Sequence, residues 1–217
     1  MTEILIKLFA GSQFLTEILL SNPEYVEQLA AHRQLANSKS VDQFRTEAQT
    51  WETTVHAPDD TAAHLDALRR FQRKELLRIG ACDLLDLFDL PTVTAQLSNL
   101  ADSLVRTCLD IAATQSGTPT EGFAVLAMGK LGGQELNYSS DIDLLFLAET
   151  AADSYRRLSE RLIDALTRVT AEGFLYRVDM RLRPWGQVGA LVSSLDGYLT
   201  YLEKHARLWE KQALLKA

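Results

Sequence analysis

The chain has 217 residues, of which 47% are apolar and 24% are charged, values that are ordinary for a globular protein. Its formal net charge of −7 argues against a nucleic-acid partner, which would require a basic surface. Charged residues interrupt the apolar N-terminal segment, so we expect neither a signal peptide nor a membrane partner. The two cysteines have no metal-binding spacing, which favours a cytoplasmic protein without disulfides.

Apolar residues recur at three- and four-residue steps through residues 1–115, which predicts a helical N-terminal bundle. The segment Ser21–Glu24 has a helix stop followed by a new start with proline in the first turn. Residues 32–60 are more polar and less periodic, so we expect loops there. Asp60 or Thr61 is a candidate N-cap for a helix that ends at Gly80. A long helix then follows Pro91.

The turn-forming segment 115–120 predicts a boundary, after which strands and helices alternate. We therefore predict an α+β protein with a catalytic domain at 116–192 and a C-terminal helix at 193–217, the start of a truncated helical region. The predicted elements of this half are the strands Phe123–Met128, Asp141–Leu147 and Leu175–Leu182, the helix Tyr155–Val169, and a final helix from Leu195 to the last residue. Because the final helix lacks a C-cap signal, we expect a fragment of a longer protein.

Asp141 and Asp143 alternate with apolar residues in the second predicted strand. Successive side chains of a strand point to opposite faces, so both carboxylates lie on one face. Asp179 holds an equivalent position in the third predicted strand, where three arginines share its face: Arg177, Arg181 and Arg183. If the two strands are neighbours, three carboxylates meet, and Mg²⁺ or Mn²⁺ is the cation that such oxygen ligands favour.

The residues around these strands predict a phosphate-binding site. Arginine forks bind phosphate oxygens, which assigns Arg181 and Arg183 to a nucleotide. Gly132 and Gly133 would let the backbone approach phosphate, next to a helix predicted to begin near Gln134. The hydroxyl of Ser140 has two open interpretations, a phosphate or ribose contact and a cap of the turn before the strand.

Each of these features alone has a simpler explanation. An Asp-x-Asp pair is often a solvated surface, a Gly-Gly pair is often only a turn, and alternating arginines often form exposed ion pairs of little energetic weight. Their occurrence in this order, with a helix between the two carboxylate strands, favours the functional interpretation. The histidines and cysteines show no spacing that suggests a second metal or nucleophile site.

The order of these residues resembles the nucleotidyltransferase superfamily with a polymerase-beta-type palm. More specifically, four stretches resemble the glutamine synthetase adenylyltransferase family, also called adenylylating/deadenylylating enzymes: Arg70–Ile79, Ala127–Asp143, Tyr176–Gly186 and Trp209–Ala217. The resemblance covers nearly the whole chain. It implies that Asp141, Asp143 and Asp179 are metal-binding catalytic residues, and it adds Lys130, within the second stretch, to the nucleotide contacts.

The resemblance also implies a reaction and its partners. ATP would donate AMP to a tyrosine of glutamine synthetase, or phosphate would remove that AMP, in the regulation of nitrogen assimilation. Family members carry one domain for each direction, controlled by a nitrogen-signalling protein, whereas this chain carries a single copy. The segment Glu135–Asp143 is more similar to the AMP-removing copy, but the shared metal-site residues leave the direction open.

Two other functions remain open at this stage. The chain could be a fragment that binds nucleotide or glutamine synthetase without turnover. It could also transfer nucleotides to small molecules or RNA, although the acidic charge disfavours RNA and the long helical half disfavours a minimal small-molecule enzyme.

Overall fold

The computed structural model describes residues 2–30, 35–55 and 60–217. The chain forms two compact units, Met1–Leu104 and Val105–Ala217. The fold class is α+β, as predicted, because the first unit is helical and the second contains a small mixed sheet. Within the described ranges, no helix is both long and apolar enough to cross a membrane. The boundaries at 115 and 192 stay predictions.

The helices and strands are numbered in chain order. Helices α1 to α10 are Thr2–Gly11, Gln13–Ser21, Val26–Ala30, Val41–Thr53, Thr61–Leu84, Leu90–Ser116, Gly129–Gly132, Arg156–Thr167, Leu195–Lys204 and Leu208–Ala213. Strands β1 to β4 are Phe123–Met128, Ile142–Ala148, Val178–Asp179 and Val192–Ser194. Short 3-10 turns occupy Pro23–Tyr25, Ala152–Tyr155, Gly186–Val188 and Leu214–Lys216.

Several local predictions are confirmed. Asp60 caps α5, since its carboxylate accepts a hydrogen bond from the Ala63 amide at 3.1 Å. Strand β1 has the predicted bounds, and α6 begins at Leu90 with proline in its first turn. The two cysteines are free and buried, consistent with small core residues.

The prediction of loops over residues 32–60 was wrong for the described part, where α4 spans Val41–Thr53. Ser40 and Gln43 form a capping box, in which the Ser40 hydroxyl accepts from the Gln43 amide and the Gln43 side chain accepts from the Ser40 amide. This pattern was the missed signal. Residues 31–34 and 56–59 of the predicted loops lie outside the described residues.

Gly80 does not end α5, which continues to Leu84. A Cβ atom at Gly80 would overlap the end of the Leu15 side chain in α2. Glycine at this position therefore allows two helices to approach closely, instead of ending one of them.

Buried charges organise the first unit. Glu75 and Arg78 on α5 are almost fully buried and form an ion pair at 2.7 Å. Glu75 also pairs with Lys39 at 3.1 Å, and Arg78 donates to the Leu35 carbonyl at 3.0 Å. Gln96 of α6 closes the network by bonding both the backbone amide and the carbonyl of Lys39. These bonds therefore join α5 and α6 to the segment that precedes α4 through paired polar groups.

The second unit is built around strand β2. It pairs antiparallel with β1 on one side and parallel with both β3 and β4 on the other. The odd-numbered Leu145 and Leu147 of β2 form a buried core with Met128 and Tyr198. Leu182, Leu202 and Leu214 pack against this core. Helix α9 and the C-terminal residues thus cover the same face of the sheet that carries Asp143.

Three predicted elements of this unit are shorter than expected. The helix predicted over Tyr155–Val169 spans Arg156–Thr167. The third strand consists only of Val178–Asp179, because the Asp179 carboxylate accepts the Arg181 amide at 2.8 Å and turns the chain. The final helix breaks at His205–Arg207. There the Glu210 carboxylate accepts from the Arg207 amide at 2.7 Å and starts α10.

Glu75→Ala should destabilise the first unit by about 3–5 kcal/mol, because it leaves the buried charge of Arg78 without its carboxylate. Urea unfolding followed by circular dichroism measures the loss. The matched control is Glu160→Ala, which removes the exposed Arg156–Glu160 pair and should cost less than about 1 kcal/mol. Equal losses in both variants would contradict a stabilising role for the buried network.

Candidate active site

Three carboxylates lie at one end of the buried strand β2. Asp143 is directly opposite Asp179 in the parallel register of β2 and β3, and opposite Met128 in β1. Register partners on neighbouring strands point to the same face, so Asp143 and Asp179 are neighbours. Asp141 immediately precedes β2 and is exposed, whereas the other two are half-buried. The two carboxylate strands are therefore neighbours, which is the condition under which the sequence predicts that the carboxylates meet.

Negative charge is concentrated at this end of the sheet, where three carboxylates lie close together. Burial raises the pKa of Asp143, and the negative charges of Asp179 and Asp141 raise it further, while Arg181 and Lys130 oppose the shift. Ionisation of Asp143 is therefore disfavoured, and a cation beside it would favour the ionised form.

Arginines supply positive charge in this structure. Arg177 donates to Asp141 at 2.5 Å and to the Ser139 carbonyl at 2.8 Å. Arg181 donates to Asp179 at 2.7 Å, and this bond lowers the pKa of Asp179. Both guanidinium groups are largely exposed, so exchange of their partners for phosphate requires no change in the core.

The carboxylates have the right chemistry for a divalent ion, but their side chains are not gathered around one point. Within residues 2–30, 35–55 and 60–217, no group of three or more His, Cys, Asp or Glu side chains is arranged to hold a metal. Asp141 and Asp179 point to arginines instead. The three carboxylates are the oxygen ligands that a hard cation prefers, and Arg177 and Arg181 pair with two of them in this structure.

Gly129 is a site residue that the sequence predictions missed. It follows the last residue of β1 and begins α7 with φ +59°, and a Cβ atom there would lie 2.6 Å from an oxygen of Asp143. Both the left-handed backbone and the close carboxylate therefore require glycine. A glycine at the end of a predicted strand was visible, but the register that sets it against Asp143 was not.

The helix predicted to begin near Gln134 is absent from the described chain. Instead α7 spans Gly129–Gly132, and Gln134 adopts a left-handed conformation with φ 54°. A Cβ atom at Gly132 would overlap the backbone carbonyls of Lys216 and Ala127. Gly132 therefore accommodates the C-terminal segment, and Lys216 also pairs with Glu135 at 2.6 Å. The phosphate contacts of Gly132 and Gly133 stay predictions.

The remaining predicted nucleotide contacts are distributed around the carboxylates. Ser140 donates to the Asn137 side chain at 2.6 Å, and its amide donates to the Asn137 carbonyl, which supports the turn-capping interpretation. Lys130 lies 3.5 Å from the Ser140 hydroxyl and is exposed on the side of Asp143. Arg183, in contrast, donates to carbonyls of its own loop, those of Met180, Gln187 and Gly189.

Comparison with known proteins decides the family. A sequence profile described as glutamate-ammonia ligase adenylyltransferase matches residues 2–217. The chain belongs to this family. Glutamate-ammonia ligase is another name for glutamine synthetase, so the resemblance seen in the sequence is confirmed.

Curated members of the adenylyltransferase family support the assignment. Relatives named bifunctional glutamine synthetase adenylyltransferase/adenylyl-removing enzyme include those of Pasteurella multocida, 34% identical over 98% of this chain, and Chromobacterium violaceum, 36% identical over 98%. The Thioalkalivibrio sulfidiphilus protein is 36% identical over 99% of this chain. In each case the chain spans 24% of the relative's length.

Asp143→Asn should raise the melting temperature of this adenylyltransferase family member at neutral pH in the presence of EDTA. The folded-state pKa of Asp143 is raised, so its contribution to stability is present at low pH and is lost as pH rises through that pKa. The gain should be below about 1 kcal/mol, because water screens the half-buried group.

Thermal melts from pH 3 to pH 8 test this sign. The gain should vanish below the ordinary aspartate pKa of about 3.9. Asp179→Asn is the control of opposite sign, since the pKa of Asp179 is lowered and its stabilisation is lost as pH falls. A pH-independent gain for Asp143→Asn would contradict the proposed repulsion.

Gly132→Ala should destabilise the second unit by about 1–3 kcal/mol, because the new methyl group meets two backbone carbonyls that no rotamer change can move. Gly133→Ala is the matched control, since its nearest contacts lie at 3.3 Å and one is the flexible Lys216 side chain. Limited trypsin digestion should cleave the C-terminal segment faster in Gly132→Ala. Equal digestion of both variants would contradict the seating of Lys216 on Gly132.

Proposed function

We propose that this chain is a metal-dependent nucleotidyltransferase that moves AMP onto or off a tyrosine of glutamine synthetase. The observation that carries the proposal is the register of Asp143 and Asp179 on neighbouring strands, with Asp141 beside them. Its setting is a chain of the glutamate-ammonia ligase adenylyltransferase family. The relatives' names, which contain both adenylyltransferase and adenylyl-removing activities, support the substrate.

Asp141, Asp143 and Asp179 would hold Mg²⁺ or Mn²⁺ in the active arrangement. The ion supplies charge neutralisation at the α-phosphate and its attacking and leaving oxygens. The charges of Asp141 and Asp179, which disfavour ionisation of Asp143, and the exposed arginines that pair with those two carboxylates support this role.

The chain's own cations bind the phosphates. When a nucleotide enters, Arg181 can leave Asp179 and bind phosphate oxygens as a bidentate fork. Lys130, exposed on the side of Asp143, adds a second positive charge. The same movement frees the Asp179 carboxylate for the ion or for the proton of the reacting hydroxyl. The nucleotide contact of Arg183 stays a prediction.

The two directions share one geometry. In the reaction that adds AMP, the tyrosine oxygen bonds to the α-phosphorus of ATP, its proton passes to a carboxylate or water, and pyrophosphate leaves. In removal, an oxygen of inorganic phosphate bonds to the phosphorus of adenylyl-tyrosine, the bond to the tyrosine oxygen breaks, and ADP forms as the tyrosine is protonated. A nitrogen-signalling protein would bias one direction in a full-length enzyme.

Asp141→Asn, Asp143→Asn and Asp179→Asn should each lower activity by at least about a hundredfold, because each removes a charge that stabilises the transferring phosphoryl group. Two assays run in parallel: transfer of α-labelled AMP from ATP to glutamine synthetase, and phosphate-dependent release of labelled AMP as ADP. EDTA should abolish both activities, and added Mg²⁺ or Mn²⁺ should restore them.

Asp164→Asn is the control, since Asp164 on α8 pairs with Arg168 and its charge is not among those that shift the pKa of Asp143. It should keep full activity. Activity retained in all three site variants would contradict the assignment of the carboxylates. Tight binding of ATP or glutamine synthetase without either reaction would support the alternative of a non-catalytic binding fragment. Transfer of AMP only to a small molecule or to RNA would show that the substrate is not a protein.

A further inference from the structure

An exposed tryptophan lies on the loop that connects β3 to β4. Trp185 has φ 62°, in the left-handed region that bulky residues rarely adopt, and 58% of its surface is exposed. A strained backbone of this kind persists only where surrounding contacts hold it. The position of the indole is therefore a built feature of the loop, which indicates a binding role.

Arg183 fixes the loop from within. Its three donations to loop carbonyls, at 2.9–3.3 Å, join the two ends of the loop. Gly189 permits the closure, since a Cβ atom there would overlap the Pro184 carbonyl. Arg183 therefore positions Trp185, and its own donors are engaged by backbone carbonyls.

Helix α9 places a second aromatic ring beside the indole. The rings of Trp185 and Tyr201 are steeply inclined, with 69° between their planes and 5.2 Å between their centroids. The Tyr201 hydroxyl donates to the Glu210 carboxylate at 2.5 Å, which anchors the phenol and leaves its ring richer in electrons. Two electron-rich rings therefore meet at a fixed angle.

The two rings line a cleft of about 430 Å³. The polar side chains that share this cleft carry hydroxyl and carboxylate oxygens, and they are Ser193, Ser194 and Asp153. Among the residues that the structure describes, no lysine, arginine or histidine lines the cleft. The lining therefore combines aromatic rings with acceptor oxygens and one negative charge.

The exposed Asp153 carboxylate has no ion-pair partner in the described part of the chain. Arg156 and Arg183 line an adjoining cleft that Asp153 also borders, but both arginines bind elsewhere. Arg156 pairs with Glu160 at 2.9 Å, and Arg183 donates to the carbonyls of its own loop. The negative charge of Asp153 is thus available to a ligand.

The first turn of α9 also borders the cleft, and it is capped. The Ser194 hydroxyl accepts a hydrogen bond from the Gly197 amide at 3.2 Å. Asp196 adds a negative charge in the same turn, which offsets the positive end of the helix dipole. The helix end therefore does not convert the cleft into an anion site.

We infer that this cleft binds an organic cation, an ammonium or guanidinium group that lies against Trp185 and pairs with Asp153. Aromatic faces attract such cations, most strongly at tryptophan, and the serine hydroxyls accept their N–H donors. The group belongs to a free alkylamine or to a lysine or arginine of a protein, which share this chemistry. The inference goes beyond the proposed reaction, because Asp141, Asp143 and Asp179 do not line the cleft.

Titration of the whole chain with butylammonium chloride tests the site. The amide resonances of Ser193, Ser194 and Gly197 in isotope-labelled protein report binding in every variant, because these residues line the cleft. Trp185→Ala should weaken binding about two- to thirtyfold, the range for loss of one cation–π contact. Asp153→Asn should weaken it up to about fivefold, since it removes one exposed charge pair.

Matched variants and probes separate the cation from simpler causes. Trp185→Phe keeps an aromatic face and should bind more tightly than Trp185→Leu, which keeps only apolar surface. Trp209→Ala and Glu203→Gln should leave binding unchanged, since neither side chain lines the cleft. Butanol has the same chain length without the charge and should bind the parent more weakly than butylammonium does.

Equal affinity of butylammonium for the parent and for a folded Trp185→Leu chain would overturn the inference. Equal affinity of the parent for butanol and butylammonium would also overturn it, because the cleft would then recognise only apolar surface. Asp143→Asn should leave butylammonium binding unchanged, so failure of this site and failure of the proposed reaction are separate results.

Binding of glutamine synthetase distinguishes the two sources of the cation once butylammonium binding depends on Trp185. Weaker binding of glutamine synthetase by Trp185→Leu than by the parent would support a basic side chain of that protein as the ligand. Unchanged binding of glutamine synthetase would support a free amine.

Discussion

The parallel register that places Asp143 beside Asp179 is the constraint on which the rest of the second unit depends. Strand β2 is buried between its neighbours, so its charged end cannot turn away from Asp179 without breaking the sheet. The resulting repulsion must be offset by cations. Arg177 and Arg181 provide these cations here. In the proposed reaction, a metal ion bound with a phosphate ester would take their place.

Much of the surrounding structure serves to hold that end of the sheet. Leu145 and Leu147, on the same face as Asp143, anchor β2 in the core shared with helix α9. Gly129 leaves room for the carboxylate, and Gly132 leaves room for the backbone of Lys216. The glycines of this turn therefore act through close packing, and the C-terminal residues are part of the support of the site.

The sequence was sufficient where the decisive interaction is local. The cap at Asp60 and the bounds of β1 follow from neighbouring residues, and the period-two pattern is confirmed for Asp143, which lies opposite Asp179. Asp141 precedes the strand, so its predicted strand position was wrong. The sequence was not sufficient where side chains compete with the backbone for hydrogen bonds. The third strand stops after Asp179 because that carboxylate captures the Arg181 amide. No periodicity encodes the contact of Gly132 with a residue 84 positions later.

The central claim is that Asp141 and Asp179 exchange their arginines for a divalent ion, which Asp143 also binds, when nucleotide binds. Electron paramagnetic resonance of Mn²⁺ in the presence of AMP tests this most directly, because bound Mn²⁺ loses the sharp signal of the free ion. The account predicts one nucleotide-dependent Mn²⁺ site in the parent chain, lost in Asp143→Asn and retained in Asp164→Asn. Equal Mn²⁺ binding by the parent and Asp143→Asn chains would contradict it.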